Sequence, residues 1–463
     1  LITGESLLSL LPGFLILYDR TMIEKIVKRD GRIVSFDRSK ITMAILQAAI
    51  AVGGRDRLTA ERVTGDVIEH LKKHPYRGTY PTVEEIQDLV EKSLIERGHA
   101  KTAKAYIVYR YEHALKRKGK ESLTYSKENI PYQKLWQTLS WCVDHNCVTL
   151  SQINSYIHSN NYRKLVNLSE EFYQKEIEEA FLKLSSHLDT VKLAVMAGPS
   201  SSGKTTTTIK LAEKLESIGY SVILINADNY FFDLEEHPKD SLGDYDFETP
   251  QAIDLNLLQG HLLKLLEGRP VQMPSYNFKK GKREGLLPPV RLKDKSMVLL
   301  DSLHGLHDSV TGHIPNHAKF NLYIETLSQH KDSKNRFIRW ADIRMLRRMV
   351  RDMQFRNYSP EQTVTHWHYV RRSELRYIVS QLHKANAIIN SYLAYELPVL
   401  KNRLHDLLPQ FYEKFQKNSE LEDALSRVER VTRLFKEIES WGDESIVPQN
   451  SVLREFIGGG KYP

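Results

Sequence analysis

The segment Gly198-Pro-Ser-Ser-Ser-Gly203-Lys204-Thr205 sets two glycines, a lysine and a hydroxyl at the spacing of an anion cradle. Gly198 and Gly203 allow successive backbone N–H groups to turn toward one point, with Ser200, Ser201 and Ser202 between them. Lys204 then neutralises the outer phosphates of a nucleoside triphosphate, and the Thr205 hydroxyl is suited to ligate Mg²⁺, with Thr206 following in the same turn. A serine-rich surface turn is the bland alternative. The flanking pattern weighs against it: Leu193 to Ala197 is a short apolar run of the kind a buried parallel strand shows. Downstream, Leu211, Leu215 and Ile218 share one helical face that stops at Gly219.

Two carboxylates follow apolar runs. Val222 to Ile225 leads to Asp228, and Met297 to Leu300 leads to Asp301. If both runs are strands of one parallel sheet, both acids stand at its carboxyl edge beside the cradle. Asp228 is then placed to take the proton of an attacking hydroxyl, and Asp301 to hold Mg²⁺ with Thr205. The plain alternatives are an N-cap or loop aspartate for Asp228 and a strand-terminal aspartate that merely begins a turn for Asp301. Arg344, Arg347, Arg348 and Arg351 fall at i, i+3, i+4 and i+7, so one helical face carries guanidiniums that repel one another unless an anion lies between them. Beside a phosphate cradle, the stripe reads as a lid that closes on the triphosphate, with Arg347 and Arg351 stabilising transition-state charge, Arg348 on the phosphates and Arg356 at the helix end. A solvated charged face or a nucleic-acid surface is the competing reading.

These groups need a scaffold. From Val191 to about Leu397 the chain alternates apolar strand, loop and helix, the grammar of an α/β fold with a parallel sheet and flanking helices. Before it, Ile26 and Lys28 with Ile33 and Ser35 flank an Asp30-Gly31 turn and predict a β-hairpin. Thr82 and Glu85 form a capping-box pair ahead of Ile86, Leu89, Val90 and Leu94, and Ala103, Ile107, Tyr111 and Ala114 predict a further helix over 100–116. The expected divisions are a non-native or disordered extension at 1–21, with a genuine N-terminal arm as the alternative, a mostly helical domain at 22–117, a helical connector at 118–187, the catalytic domain at 188–397 and a helical extension at 398–463.

With 463 residues, several cores are expected. The net charge of +8 suits anionic ligands, while the dispersed basic residues argue against nucleic acid. Only Cys142 and Cys147 are present, which excludes a disulfide framework and a four-cysteine zinc ribbon and fits a cytoplasmic location. The apolar stretch Leu7 to Tyr18 is too short to span a bilayer, so no membrane association is expected.

The motifs in this order resemble the uridine kinase and phosphoribulokinase family. Ala227-Asp228-Asn229-Tyr230-Phe231 is similar to its catalytic-base segment, Asp246-Phe247-Glu248-Thr249-Pro250 to its acceptor motif, and Pro274-Ser-Tyr276-Asn-Phe278 through Arg283 to the segment closing over base and ribose. The resemblance implies a P-loop kinase with ATP as phosphate donor and Mg²⁺ as cofactor, and Tyr230, Phe247, Tyr276 and Arg283 on a nucleoside-like acceptor. Three departures bear on that acceptor: Gly281 stands at the place of a base-recognising histidine, Tyr358 at that of a lid arginine, and Asp301-Ser302-Leu303 at that of a Glu-Gly pair. The N-terminal segment resembles an ATP-cone, a regulatory nucleotide-binding module. That likeness implies an ATP or dATP effector on Lys28, Arg29, Arg32 and Lys40. The leading expectation is an allosterically controlled nucleoside kinase. A kinase of a pentose phosphate and a non-catalytic nucleotide sensor are the alternatives, and homo-oligomerisation stays open.

Overall fold

The computed structural model describes residues 23–28, 32–73, 80–106, 130–239, 245–356, 358–418 and 421–462. The chain divides into two compact units, Leu1–Arg117 and Lys118–Pro463.

In the first unit, β1 (Lys25–Val27) and β2 (Ile33–Ser35) pair antiparallel, with Ile26 opposite Val34. The Asp30-Gly31 turn lies outside the described residues, as do Arg29, the 1–21 extension and the predicted helix beyond residue 106. Helices α1 (Arg38–Ile50), α2 (Arg57–Lys73) and α3 (Val83–Glu96) follow. Asp37 caps α1, and the Thr82 and Glu85 side chains form the expected reciprocal box on α3, each satisfying a backbone N–H the helix leaves unpaired. Ile45, Val63, Val67, Val90 and Leu94 bury one face of each helix in a common core.

The second unit is built on a parallel sheet of β3 (Leu193–Ala197), β4 (Ser221–Asn226), β7 (Ser296–Asp301), β8 (Lys319–Glu325) and β9 (Ala387–Asn390), in the order β4-β7-β3-β8-β9. After helix α8 (Leu255–Leu266), a small hairpin, β5 (Pro274–Asn277) with β6 (Lys282–Leu286), stands apart from it. Every residue of β3, β7 and β8 is buried, which is why β3 and the centre of β7 read as apolar runs without alternation, whereas β8 carries buried Lys319, Asn321 and Glu325 among its apolar residues. Alternate residues still face different cores: Ala194 and Met196 pack on one side of the sheet, Leu193, Val195 and Ala197 on the other.

The segment expected as a connector is part of this unit. Helices α4 (Tyr132–Asp144), α5 (Leu150–His158) and α6 (Tyr162–Ser185) place Cys142, Ile153, Tyr173, Ile177 and Leu184 in the same core as Met196 and Leu322. So do the residues after 398, through Phe415, Val428, Val431 and Phe456. Both cysteines are free and buried, and Cys142 Sγ lies 3.3 Å from the Tyr392 hydroxyl. Among the described residues no helix is long and apolar enough to cross a membrane.

Candidate active site

β3 leads through the glycine loop into α7 (Lys204–Ser217). A Cβ on Gly198 would collide with the Ile324 carbonyl, and Gly203 has φ +85° with Val452 pressed against its Cα, so neither position tolerates a side chain. Leu211 and Leu215 are buried as the pattern predicts, whereas Ile218 is half exposed and Gly219, at φ +85°, ends the helix. The Lys204 ammonium donates to the Pro199 carbonyl at 3.1 Å. Burial lowers its pKa, and the carboxylates of Asp301 and Asp228 oppose that shift.

Parallel pairing decides where the acids go. Asp301 closes β7 between β3 and β4, in register with Met196 and with Asn226. Its carboxylate accepts from the Thr205 hydroxyl at 2.9 Å. Burial pushes the Asp301 pKa up to about 7, Lys204 works against this, and Asp228 adds to it. Asp228 sits in the turn Ala227–Tyr230 after β4, where its N–H is held by the Asn226 side chain at 2.9 Å. β4 is separated from β3 by β7, so the two acids flank the cradle from neighbouring strands at one sheet edge.

A cavity of about 450 Å³ opens there. Its lining includes Ser200, Ser201, Lys204, Thr205, Asp228 and Asp301, the arginines Arg348, Arg351 and Arg356, and a group of neighbouring rings, Phe231, Tyr245, Phe247 and Phe278. Gly198, Ser202, Gly203 and Thr206 shape the loop without lining the cavity, and Thr206 donates its N–H to the Glu455 carboxylate at 3.0 Å.

The arginine stripe divides. It lies on α9 (Trp340–Arg351), but Arg344 and Arg347 are wholly buried, and Arg347 is not brought to the cavity. Arg344 pairs with Glu325 at 2.7 Å and Glu374 at 2.5 Å and donates to the Ser200 carbonyl at 2.9 Å. Arg347 pairs with Glu396 at 2.6 Å and bonds Thr326 and the Ser391 carbonyl. The expectation that Arg347 faces the reaction is corrected: the anion beside it is a carboxylate of the chain, because an ion so deeply buried must be paired within the fold. On the outer side Asp352 draws Arg348 (3.1 Å), Arg351 (2.8 Å) and Arg356 (3.9 Å) together. Arg351 foremost, and then burial, lower the Arg356 pKa to about 10. Its guanidinium lies 4.8 Å from the Phe278 ring centre.

Of the acceptor residues, Phe247 lines the cavity and three do not. Tyr230 is fully buried with its hydroxyl 2.9 Å from His261 Nδ1. Tyr276 is buried behind Phe231 and Phe278, at ring distances of 5.7 and 5.2 Å. Arg283 donates to the Phe231 and Tyr230 carbonyls at 2.9 and 2.8 Å and pairs with Asp254, so it fixes the turn that carries Asp228. The structure adds Glu248, which meets Arg348 at 2.5 Å, and Tyr358, Gln362, His366 and Tyr369 at and along α10 (Pro360–Ser373). Glu248 lies within a motif the sequence displays; the α10 residues carry no signal of their own. Gly281 has φ +66°, and Leu234 fills the space a side chain would take.

In the first unit, Lys28 donates its N–H to the Arg32 carbonyl at 2.7 Å, closing the hairpin, and Lys40 lies 3.8 Å from Asp37.

The family model described as Phosphoribulokinase / Uridine kinase family matches residues 193–397, and the ATP cone domain model matches 24–115. A uridine kinase of Deinococcus deserti is 32% identical over 195 residues, spanning 42% of this chain and 84% of that enzyme. The chain belongs to the phosphoribulokinase/uridine kinase family. Its family region is joined to an ATP-cone region, as the second match records. A vitamin B12-dependent ribonucleoside-diphosphate reductase of Thermoplasma acidophilum is 39% identical over 105 residues, 22% of this chain and 13% of that protein. Among solved structures, a possible uridine kinase from Bacillus stearothermophilus is 17% identical with a TM-score of 0.28, covering 32% of this chain and 79% of that one.

Proposed function

We propose that the second unit transfers the γ-phosphoryl group of ATP to a hydroxyl of a nucleoside, and that the ATP-cone region tunes this activity by binding ATP or dATP. The observation that carries the proposal is the convergence of Lys204, Asp228 and the Thr205–Asp301 pair on one cavity at the carboxyl edge of a parallel sheet.

In this reading Asp228 accepts the proton of the acceptor hydroxyl as its oxygen attacks the γ-phosphorus. The bond between γ-phosphorus and the β,γ-bridging oxygen breaks, and ADP carries away the electron pair. Lys204 and the loop N–H groups hold the phosphates in line, while Arg348, Arg351 and Arg356 offset the charge spread over the transferring group. Thr205 and Asp301 fit Mg²⁺: they are hard oxygen donors already 2.9 Å apart, and Asp301 is an acid whose buried charge gains from an added cation. Bound there, Mg²⁺ supplies screening of phosphate charge. The aromatic rings in the cavity lining suit a planar base, with Phe247 and Phe231 as contacts. In the first unit Lys28, Arg29, Arg32 and Lys40 are assigned to the effector phosphates.

A pentose phosphate is the second acceptor reading. It is favoured by Gly281, where the hairpin offers no side chain to read a base.

The test is ADP release from ATP across a panel of nucleosides and pentose phosphates, with and without dATP. Acceptor-dependent release that responds to dATP, and that Lys204→Ala reduces by roughly 10³-fold or more, is expected. Release indifferent to every acceptor, or undiminished in Lys204→Ala, overturns the kinase reading.

A further inference from the structure

The N-terminus of α7 already holds an anion. No side chain of the loop caps this helix, whose N-cap residue is Gly203 in the left-handed region. Its third N–H, that of Thr206, instead meets Glu455 Oε2 at 3.0 Å. Glu455 belongs to the short helical turn Arg454–Ile457, beyond residue 397 where the family match ends. Its carboxylate lines the cavity together with Lys204 and Thr205.

The backbone around it is firmly held. Val452, Leu453 and Phe456 are completely buried, and Val452 packs against Gly203. Ser451 Oγ lies 3.0 Å from the Tyr395 hydroxyl, and Arg454 donates to the Glu444 and Val447 carbonyls at 2.8 and 2.7 Å. The Phe456 ring sits 5.1 Å from the Arg347 guanidinium. Glu455 itself is only partly buried, so its side chain can turn while the segment stays in place.

Backbone N–H groups and the helix dipole make this position a phosphate site, and a carboxylate there uses the same donors. We propose that Glu455 occupies the place of a donor phosphate at the start of α7, and that its departure is coupled to entry of the triphosphate. The residue thereby sets how tightly the cavity takes its nucleotide. In the unligated chain Glu455 neutralises the helix end and restrains the loop; on binding, the phosphate takes over the Thr206 N–H, and the displaced carboxylate turns away from a like charge. This rests on reading Gly198–Thr205 as a triphosphate cradle.

A merely structural glutamate and a phosphate stand-in differ in sign. Glu455→Gln keeps the shape and removes the charge. It is expected to lower the melting temperature of the unligated protein and yet tighten binding of Mg·ADP and of inorganic tripolyphosphate by roughly tenfold in calorimetric titration. Glu455→Asp, which keeps the charge on a shorter arm, is expected to fall between the two and secures the comparison if Gln impairs folding. KM for ATP falls with little change in kcat. Unchanged or weaker binding of both probes in Glu455→Gln and Glu455→Asp overturns the inference. If the wild-type chain binds the probes and Lys204→Ala does not, that failure leaves the cradle standing; if wild type and Lys204→Ala both fail to bind, cradle and inference fall together.

Discussion

Two faces of one helix carry the same residue type to different ends. On the inner face of α9, Arg344 and Arg347 have no exposed surface and are matched by Glu325, Glu374 and Glu396. On the outer face, Arg348 and Arg351 keep 16% and 13% of their side-chain surface exposed, share Asp352 and look into the cavity. Inner arginines stand in for structure: Arg344 anchors the Ser200 carbonyl, and Arg347 ties α9 to the residues after β9. The outer ones keep some surface at the cavity, where Arg348 is shared between Asp352 and Glu248 and Arg351 pairs with Asp352; in the proposed function an entering phosphate competes with these carboxylates for them. A charge's role here follows from which anion the fold gives it, and spacing alone does not tell the two apart.

The largest effect that sharpens this division is on stability. Arg347→Ala leaves Glu396 buried without its partner and is expected to cost roughly 3–5 kcal/mol, read from the denaturant midpoint. A wild-type midpoint with lost turnover would put Arg347 back on the reaction. Arg351→Ala is expected to do the reverse, lowering kcat by about 10²-fold with an almost unchanged melting curve. Equal loss of stability in both variants would erase the distinction between the faces.

The smallest effect concerns Asp301, across the cavity. Its folded pKa of about 7 against an ordinary 3.8 means the folded chain holds an extra proton between these values. Asp301 therefore opposes folding increasingly as pH rises from about 4 through 7, and its buried charge costs most above 7. Asp301→Asn should accordingly stabilise the unligated chain at pH 8 by about 2 kcal/mol more than at pH 5, in paired thermal melts. A pH-independent difference would show that Lys204 and Thr205 fully compensate the charge.

Much of the cradle was legible because its chemistry is local. Gly198, Gly203, Lys204 and Thr205 act through backbone conformation and neighbouring atoms, so their spacing is enough. Asp228 and Asp301 were placed by one topological assumption, parallel strands, that the sheet order upholds, although β7 enters between β3 and β4. The family resemblance puts Tyr230, Tyr276 and Arg283 on the acceptor, yet they lie outside the cavity lining, because motif membership does not say which way a side chain turns. Glu455 stands in the largely apolar stretch Val452-Leu-Arg-Glu-Phe-Ile457, a pattern that speaks for burial of the segment, but it is remote in sequence from the loop it meets and nothing local names that partner.

The sequence by itself determined the local devices: the glycine-hinged loop, the capping box at Thr82, the buried strands and the two family regions. Each depends on interactions within a few residues or on a repeating pattern that survives in one dimension. Tertiary structure alone decided that the described residues of 130–187 and of 398–462 contribute to the core of the second unit, which arginines are paired inside it, and whose carboxylate stands at the start of α7. Those outcomes turn on pairings between residues far apart in the chain, where burial makes an ion choose a partner and sequence distance gives no indication of which one.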